Sequence, residues 1–306
     1  MLGFLWDKSS EFTNYARAFR LGQMKDDDAQ LDAVVLGSTQ ILHAVDFSLQ
    51  NEIRGENLAF SVQPFLYDVL ILKRFAGNIR KGGTVFFGIS LFNFVLYDFS
   101  ARLRNSYRFK RYSLLCGPEL FSGCSRKEYR RLKRTFLLRS YLYRLIRMKG
   151  RGKIDFLPAG KKSPTHETLA QDARKRIEDI HKNYFAPPAF RDLQDDTVVE
   201  KNVELLCSGI EFARSQGLNP VLLLVPNAPE YCAASDAGQM EKYLWKPLEK
   251  VVRKSQVPVM DYVKDPRFAG CENHENALIL SADGRKKFTE ELVKRIKSAT
   301  VNVSSR

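Results

Sequence analysis

The run Ala33-Val34-Val35-Leu36-Gly37-Ser38-Thr39 decides the fold. Four apolar residues with two β-branched valines make a strand without a polar face, and Gly-Ser-Thr ends it in a turn. A strand that is apolar on both sides belongs in a parallel sheet covered on both faces. Working outward, Asn57 to Ser61 reads as a second strand and Pro64 to Phe75 as a helix opened by proline. Gly82-Gly83 reads as a turn, and Thr84 to Ile89 is a third apolar strand. The alternation resumes with a helix over Val198 to Gln216 and the run Pro220-Val221-Leu222-Leu223-Leu224-Val225-Pro226, the clearest buried strand in the chain. A helix over Gln239 to Lys254, a fifth strand over Val257 to Tyr262 and a closing helix over Ser281 to Lys297 follow. The last sets Phe288, Leu292, Val293 and Ile296 on one face. This order predicts an α/β protein: a doubly wound parallel sheet of about five strands in a three-layer, flavodoxin-like sandwich.

The alternation pauses after about Ser100. Residues 101–195 read as a basic helical insertion within one domain spanning 1–306. The chain of 306 residues carries a net charge of +14. Between Ala101 and Lys162, nineteen Lys and Arg face three acids, so the basicity belongs to this segment rather than to the fold. Ser125-Arg126-Lys127-Glu128 has capping-box spacing and opens an amphipathic helix over about 126–148. Three readings compete for Arg126 to Lys149: a solvated helix packed on the domain, a helix on an anionic membrane or polymer, or a nucleic-acid contact. Nucleic acid is disfavoured, because no zinc finger, RNP-type aromatic signature or phosphate-binding glycine loop accompanies the charge.

Other classes fall away on composition. No run reaches the roughly 18 apolar residues that span a bilayer. The N-terminus Met-Leu-Gly-Phe-Leu-Trp-Asp lacks a basic region before an apolar core, so no secretory signal is expected. The expectation is a cytoplasmic protein, free or peripheral to a membrane. Five scattered cysteines without a C-x-x-C pair predict reduced thiols, and four histidines without ligand spacing predict no metal site. No cofactor motif is present in the sequence.

Val34-Val35-Leu36-Gly37-Ser38-Thr39 resembles the nucleophile block of the SGNH (GDSL-type) hydrolase superfamily. It is closest to members that act on cell-surface polymers, including lipoteichoic-acid D-alanylation proteins. Asn57 to Ser61 falls where such proteins place a second block, and Val225-Pro226-Asn227-Ala228-Pro229-Glu230-Tyr231 resembles their late strand and its exit loop. Leu280-Ser281-Ala282-Asp283-Gly284-Arg285-Lys286-Lys287-Phe288-Thr289 is similar to the segment after their Asp-x-x-His pair. The resemblance implies a hydroxyl nucleophile at a strand end, a histidine base, a carboxylate that orients it, and oxyanion donors. It puts the nucleophile at Thr39, with Ser38 adjacent, the acid at Asn276 and the base at Ile279. Threonine's methyl crowds attack, and isoleucine cannot accept a proton.

His274 is the one histidine near enough in sequence to replace the base, with Glu272 or Glu275 as orienter. His43 reads as structural, and His166 and His181 have no evident partner in the sequence. The family's Gly-x-Asn-Asp block is not legible in Gly88 to Asn93, although Asn93 could still point into the cleft. Ser61, Asn93 and Asn227 are the candidate binding residues around a cleft at Ser38, Thr39 and Ala59 to Ser61. The favoured expectation is a divergent member linked to a surface glycan or polymer, its own esterase or acyl-transfer activity weak or lost. The alternatives are an active O-acyl esterase or acyltransferase using Ser38 or Thr39 with His274, and a non-catalytic scaffold bound to a membrane or polyanion.

Overall fold

The structure, a computed structural model, describes residues 30–90, 93–96, 164–181 and 196–304, with single positions and short runs between 18 and 24 and between 112 and 135. The chain divides into two compact units, Met1–Asp28 with Asp98–Pro158, and Ala29–Tyr97 with Ala159–Arg306. The second unit carries the sheet.

Its strands are β1 (Leu31–Leu36), β2 (Gly55–Asn57), β3 (Ile79–Gly88), β4 (Asn219–Leu224) and β5 (Val259–Asp261), all parallel, in the order β2-β1-β3-β4-β5. Helices α1 (Thr39–Ala44) and α2 (Phe65–Phe75) follow β1 and β2. Between β3 and β4 lie α3 (His166–Ile180) and α4 (Asp196–Ser215). After β4 come α5 (Pro229–Ala234), α6 (Ala237–Met240), a π-helical turn Glu241–Trp245 and α7 (Lys246–Ser255). Beyond β5, the short antiparallel pair β6 (His274–Asn276) and β7 (Ile279–Leu280) leads into α8 (Ala282–Ser304).

Alternation along the strands sends side chains to two apolar layers. Ala33, Val35, Phe86, Val221 and Leu223 join Ile41 of α1 and Phe288, Leu292, Val293 and Ile296 of α8 in one buried cluster. Phe87 faces the other way, where its ring and Val69 of α2 both lie against Gly209 of α4. Both faces are therefore covered, which is why the strands have no polar side. The doubly wound α/β sandwich expected from the sequence is the architecture observed.

Three expectations about elements are corrected. Gly82-Gly83 is not a turn between elements but lies inside β3, at a bulge where Leu31 opposes Ile79 and Ala33 opposes Thr84. The ladder of β2 ends at Asn57 instead of starting there, although Leu58 N and Phe60 N still donate to Val35 O and Gly37 O along the exit of β1. The single helix expected over 239–254 is α6, the π turn and α7 in succession, with Pro247 in the first turn of α7.

Ser125 and Glu128 form the expected capping box: Ser125 N donates to Glu128 Oε2 at 2.9 Å, and Glu128 N donates to Ser125 Oγ at 3.2 Å. Arg126, Lys127, Arg130, Arg131 and Arg134 are helical and exposed. The remainder of the expected helix, 136–148, lies outside the described residues. Among the described residues, no helix is long and apolar enough to cross a membrane.

Candidate functional site

In this strand order, connections leave β1 and β3 in opposite directions, and the crevice beyond their carboxyl ends is where such sheets bind ligands. Gly37 leaves β1 with φ +137°, a backbone conformation suited to glycine. A Cβ there would meet Ile41 Cγ1 at 2.9 Å and Gly88 O at 3.1 Å, so the residue also allows the two strand exits to close on each other.

Ser38 is 1% exposed, and its Oγ has no hydrogen-bond partner among the described residues. Thr39 is half-buried; its Oγ1 accepts the backbone N–H of Val62 at 3.3 Å. Val62 has φ 52°, a left-handed conformation that is costly for a β-branched side chain. Ser61 precedes it on the same turn, half-buried.

Beneath this turn runs a buried polar network. Gln63 Nε2 donates to Asp68 Oδ1 at 2.5 Å, and the Gly37 backbone N–H serves the same carboxyl. Burial outweighs both bonds and pushes the Asp68 carboxyl up to about 8, so the protonated form predominates at neutral pH. Asn93 is fully buried; its Nδ2 donates to Gln63 O at 3.4 Å, and its Oδ1 accepts Ser90 N at 2.8 Å as well as the Ser90 hydroxyl. Asn93 thus fixes Ser90, and Ser90 is the residue that reaches the cleft.

That cleft is a small recess beyond β3 and β4, with free space of about 10 Å³, room for a single water. Gln40 and Asn227 meet there, Gln40 Nε2 donating to Asn227 Oδ1 at 2.7 Å. Asn227 is held from behind by its backbone N–H, which donates to Val263 O at 3.3 Å. Tyr231 lines the same cleft, its phenol pushed up to about 12 by burial.

The segment matched to the family's acid and base lies beside this region. Ala277 O accepts Ala228 N at 3.3 Å from the exit loop of β4, and Ala277 N donates to Asp172 Oδ2 of α3 at 3.0 Å. Asn276 Oδ1 accepts Leu278 N at 3.0 Å, and Ile279 pairs with Asn276 across the β6–β7 turn. His274 is fully buried on β6. Its Nε2 donates to Phe268 O at 2.8 Å, while Nδ1 has no partner among the described residues. Desolvation lowers its pKa, so the imidazole is held neutral. Glu272, proposed as its orienter, instead accepts Asn273 Nδ2 at 3.2 Å.

The structure therefore gathers Ser38, Thr39 and Ser61 at the crevice and Asn227 in the cleft. Among the described residues, no histidine hydrogen-bonds to Ser38 or Thr39. One histidine has a partner the sequence did not suggest: His166 Nδ1 lies 2.5 Å from Glu230 Oε1, joining α3 to α5.

Gln40, Gln63, Asp68 and Ser90 were not candidates from sequence. Asp68 had a usable signal, since it sits in a helix whose neighbours Phe65, Tyr67, Val69, Ile71 and Leu72 are all apolar and buried. An acid inside such a run needs an internal partner. Gln40 and Asn227 stand 187 residues apart, and no local pattern joins them.

No family model matches the chain, and no curated protein matches it.

Proposed function

We propose that this chain is a divergent SGNH-hydrolase-like protein that handles a surface glycan or related polymer, with its own ester hydrolysis or acyl transfer weak or lost. One observation carries the reading: the hydroxyl of Ser38 lies at the exit of β1 without a base, while Ile279 stands at the position where the resemblance calls for one. Serine is a poor nucleophile until a neighbouring group takes its proton. His274 does not supply that group: its Nε2 donates to Phe268 O, and its lone-pair nitrogen, Nδ1, hydrogen-bonds to neither hydroxyl. The crevice at the strand ends, the usual ligand position in such sheets, supports a binding role without covalent chemistry.

Labelling with an alkyl fluorophosphonate, read by intact-protein mass, tests this. The expected result is an unmodified mass after hours at neutral pH. A single adduct that Ser38→Ala or Thr39→Ala removes would establish an active nucleophile and the esterase or acyltransferase alternative.

A second reading rests on the exposed basic helix. Arg126, Lys127, Arg130, Arg131 and Arg134 recur so that they line one side of its described turns. Such a stripe suits attachment to an anionic membrane or polymer, and its attraction weakens with salt. Co-sedimentation with phosphatidylserine vesicles at low and high salt tests it; equal recovery with neutral vesicles removes it.

A further inference from the structure

Helix α3 reaches the wall of the crevice through polar side chains rather than a broad apolar face. Of its fifteen residues, Leu169, Ala173 and Ile180 are buried, on one narrow stripe. In α2, by contrast, most of the eleven residues are buried. α3 packs on α5 and β6 and is clasped to this region at two points. In its first turn, His166 Nδ1 lies 2.5 Å from Glu230 Oε1 of α5. Further along, Asp172 Oδ2 accepts the Ala277 N–H at 3.0 Å, between β6 and β7, and Arg176 Nε donates to the same oxygen at 2.6 Å.

The second clasp continues toward the crevice as a chain of hydrogen bonds. Ala277 is fully buried, and its carbonyl accepts Ala228 N at 3.3 Å. Ala228 follows Asn227, whose Oδ1 takes the Gln40 amide at 2.7 Å. Asp172 is thus joined to the Asn227 loop through the two backbone groups of Ala277.

Two features make the docking of α3 easy to reverse. His166 has 70% of its side chain exposed, so water competes for its bond to Glu230. The other oxygen of that carboxyl, Glu230 Oε2, is sealed without a partner among the described residues, and its hydration on opening offsets part of the lost contact. A segment held by few buried apolar contacts opens locally, at a free energy below that of global unfolding.

We infer that α3 is a releasable strap on the crevice. Docked, it holds the β4 exit loop and the Asn227 side chain in place, with Asp172 as the positioning residue; released, it frees that loop while the sheet stays folded. α3 lies within the 101–195 insertion, so the insertion gains a hold on the crevice wall. The strap is independent of the crevice's ligand and stands apart from the glycan reading.

Amide hydrogen exchange of the full-length protein, read residue by residue by NMR, tests it. In the wild type, protection at Ala277 and Ala228 is expected to be alike and on the order of a hundredfold below that at Leu222, whose N–H donates to Pro258 O within the sheet. Asp172→Ala is expected to lower protection at both alanines about tenfold and to shift the side-chain amide signals of Gln40 and Asn227, with Leu222 unchanged. His166→Ala, at the exposed clasp, is expected to lower protection at the same two amides and provides the comparison if Asp172→Ala does not fold. Wild-type protection at Ala277 and Ala228 equal to that at Leu222 would overturn the inference, because the segment would then open only with the whole domain. Loss of protection at Ala277 alone in Asp172→Ala, with Ala228, Gln40 and Asn227 unmoved, would also overturn it and reduce Asp172 to a local cap.

Discussion

Gln63 Nε2 lies 2.5 Å from Asp68 Oδ1, and Gln63 O accepts Asn93 Nδ2, so one residue joins the carboxyl beneath the β1 exit to the asparagine that fixes Ser90 at the β3 exit. The crevice rests on this buried link. Its energetic consequence follows from linkage. Asp68 binds its proton up to about pH 8 in the folded protein, against an ordinary value of 3.8. Between those values the folded state holds more protons than the unfolded state, so stability is highest below the unfolded pKa and falls as pH rises.

Asp68→Asn keeps an acceptor for Gln63 and cannot ionise. The wild type is expected to lose up to about 1.4 kcal/mol per pH unit from this group between pH 5 and 8. The variant is expected to show a flatter profile and to exceed the wild type at pH 8. Urea midpoints measured across this range check the prediction; parallel profiles would show that Asp68 does not titrate there.

Val62 holds φ 52° while its N–H serves Thr39 Oγ1. A β-branched residue in this region costs on the order of 1–3 kcal/mol. Val62→Gly removes that cost and loses only a half-buried side chain, so a net gain of about 1 kcal/mol is expected, read as a rise in thermal midpoint. A fall in the midpoint would contradict the strain.

Gly284 packs the start of α8 on the loop before β6. A Cβ at this position would stand 2.1 Å from Asn273 O, a backbone atom that cannot rotate away. Gly284→Ala is therefore expected to cost about 2 kcal/mol or more, by the usual penalty of overpacking. Denaturant unfolding checks it, and a loss under 0.5 kcal/mol would show that α8 moves freely there.

These relationships differ in how far the sequence announces them. Val221 to Leu224 is legible because a buried parallel strand has no polar face to confuse its pattern, and Ala33 to Leu36 for the same reason. Gly82-Gly83 carries a turn's composition, yet pairing with β1 and β4 on either side makes it a bulge. Only the neighbouring strands could settle that. At the site, Ser38 and Thr39 are marked by the strand-to-turn junction. Gln40 is not, because its partner Asn227 comes from the other half of the chain. His274 hydrogen-bonds to neither hydroxyl because of its buried place on β6, where Nε2 is turned to Phe268 O and Nδ1 meets no partner among the described residues. Residue type and spacing alone could not reveal that placement.

The reading of Asn276 and Ile279 as the vacated acid and base positions is the centre of the account. Restoring both, as Asn276→Asp with Ile279→His, returns a carboxylate and an imidazole to the segment tied to Ala228 and Asp172. The deciding measurement is the initial rate of aryl acetate hydrolysis by the wild type and the double variant, each with and without Ser38→Ala and Thr39→Ala. The account predicts background rates for the wild type and at least a tenfold gain in the double variant that removal of a crevice hydroxyl abolishes. Rapid wild-type turnover lost in Ser38→Ala or Thr39→Ala would contradict it.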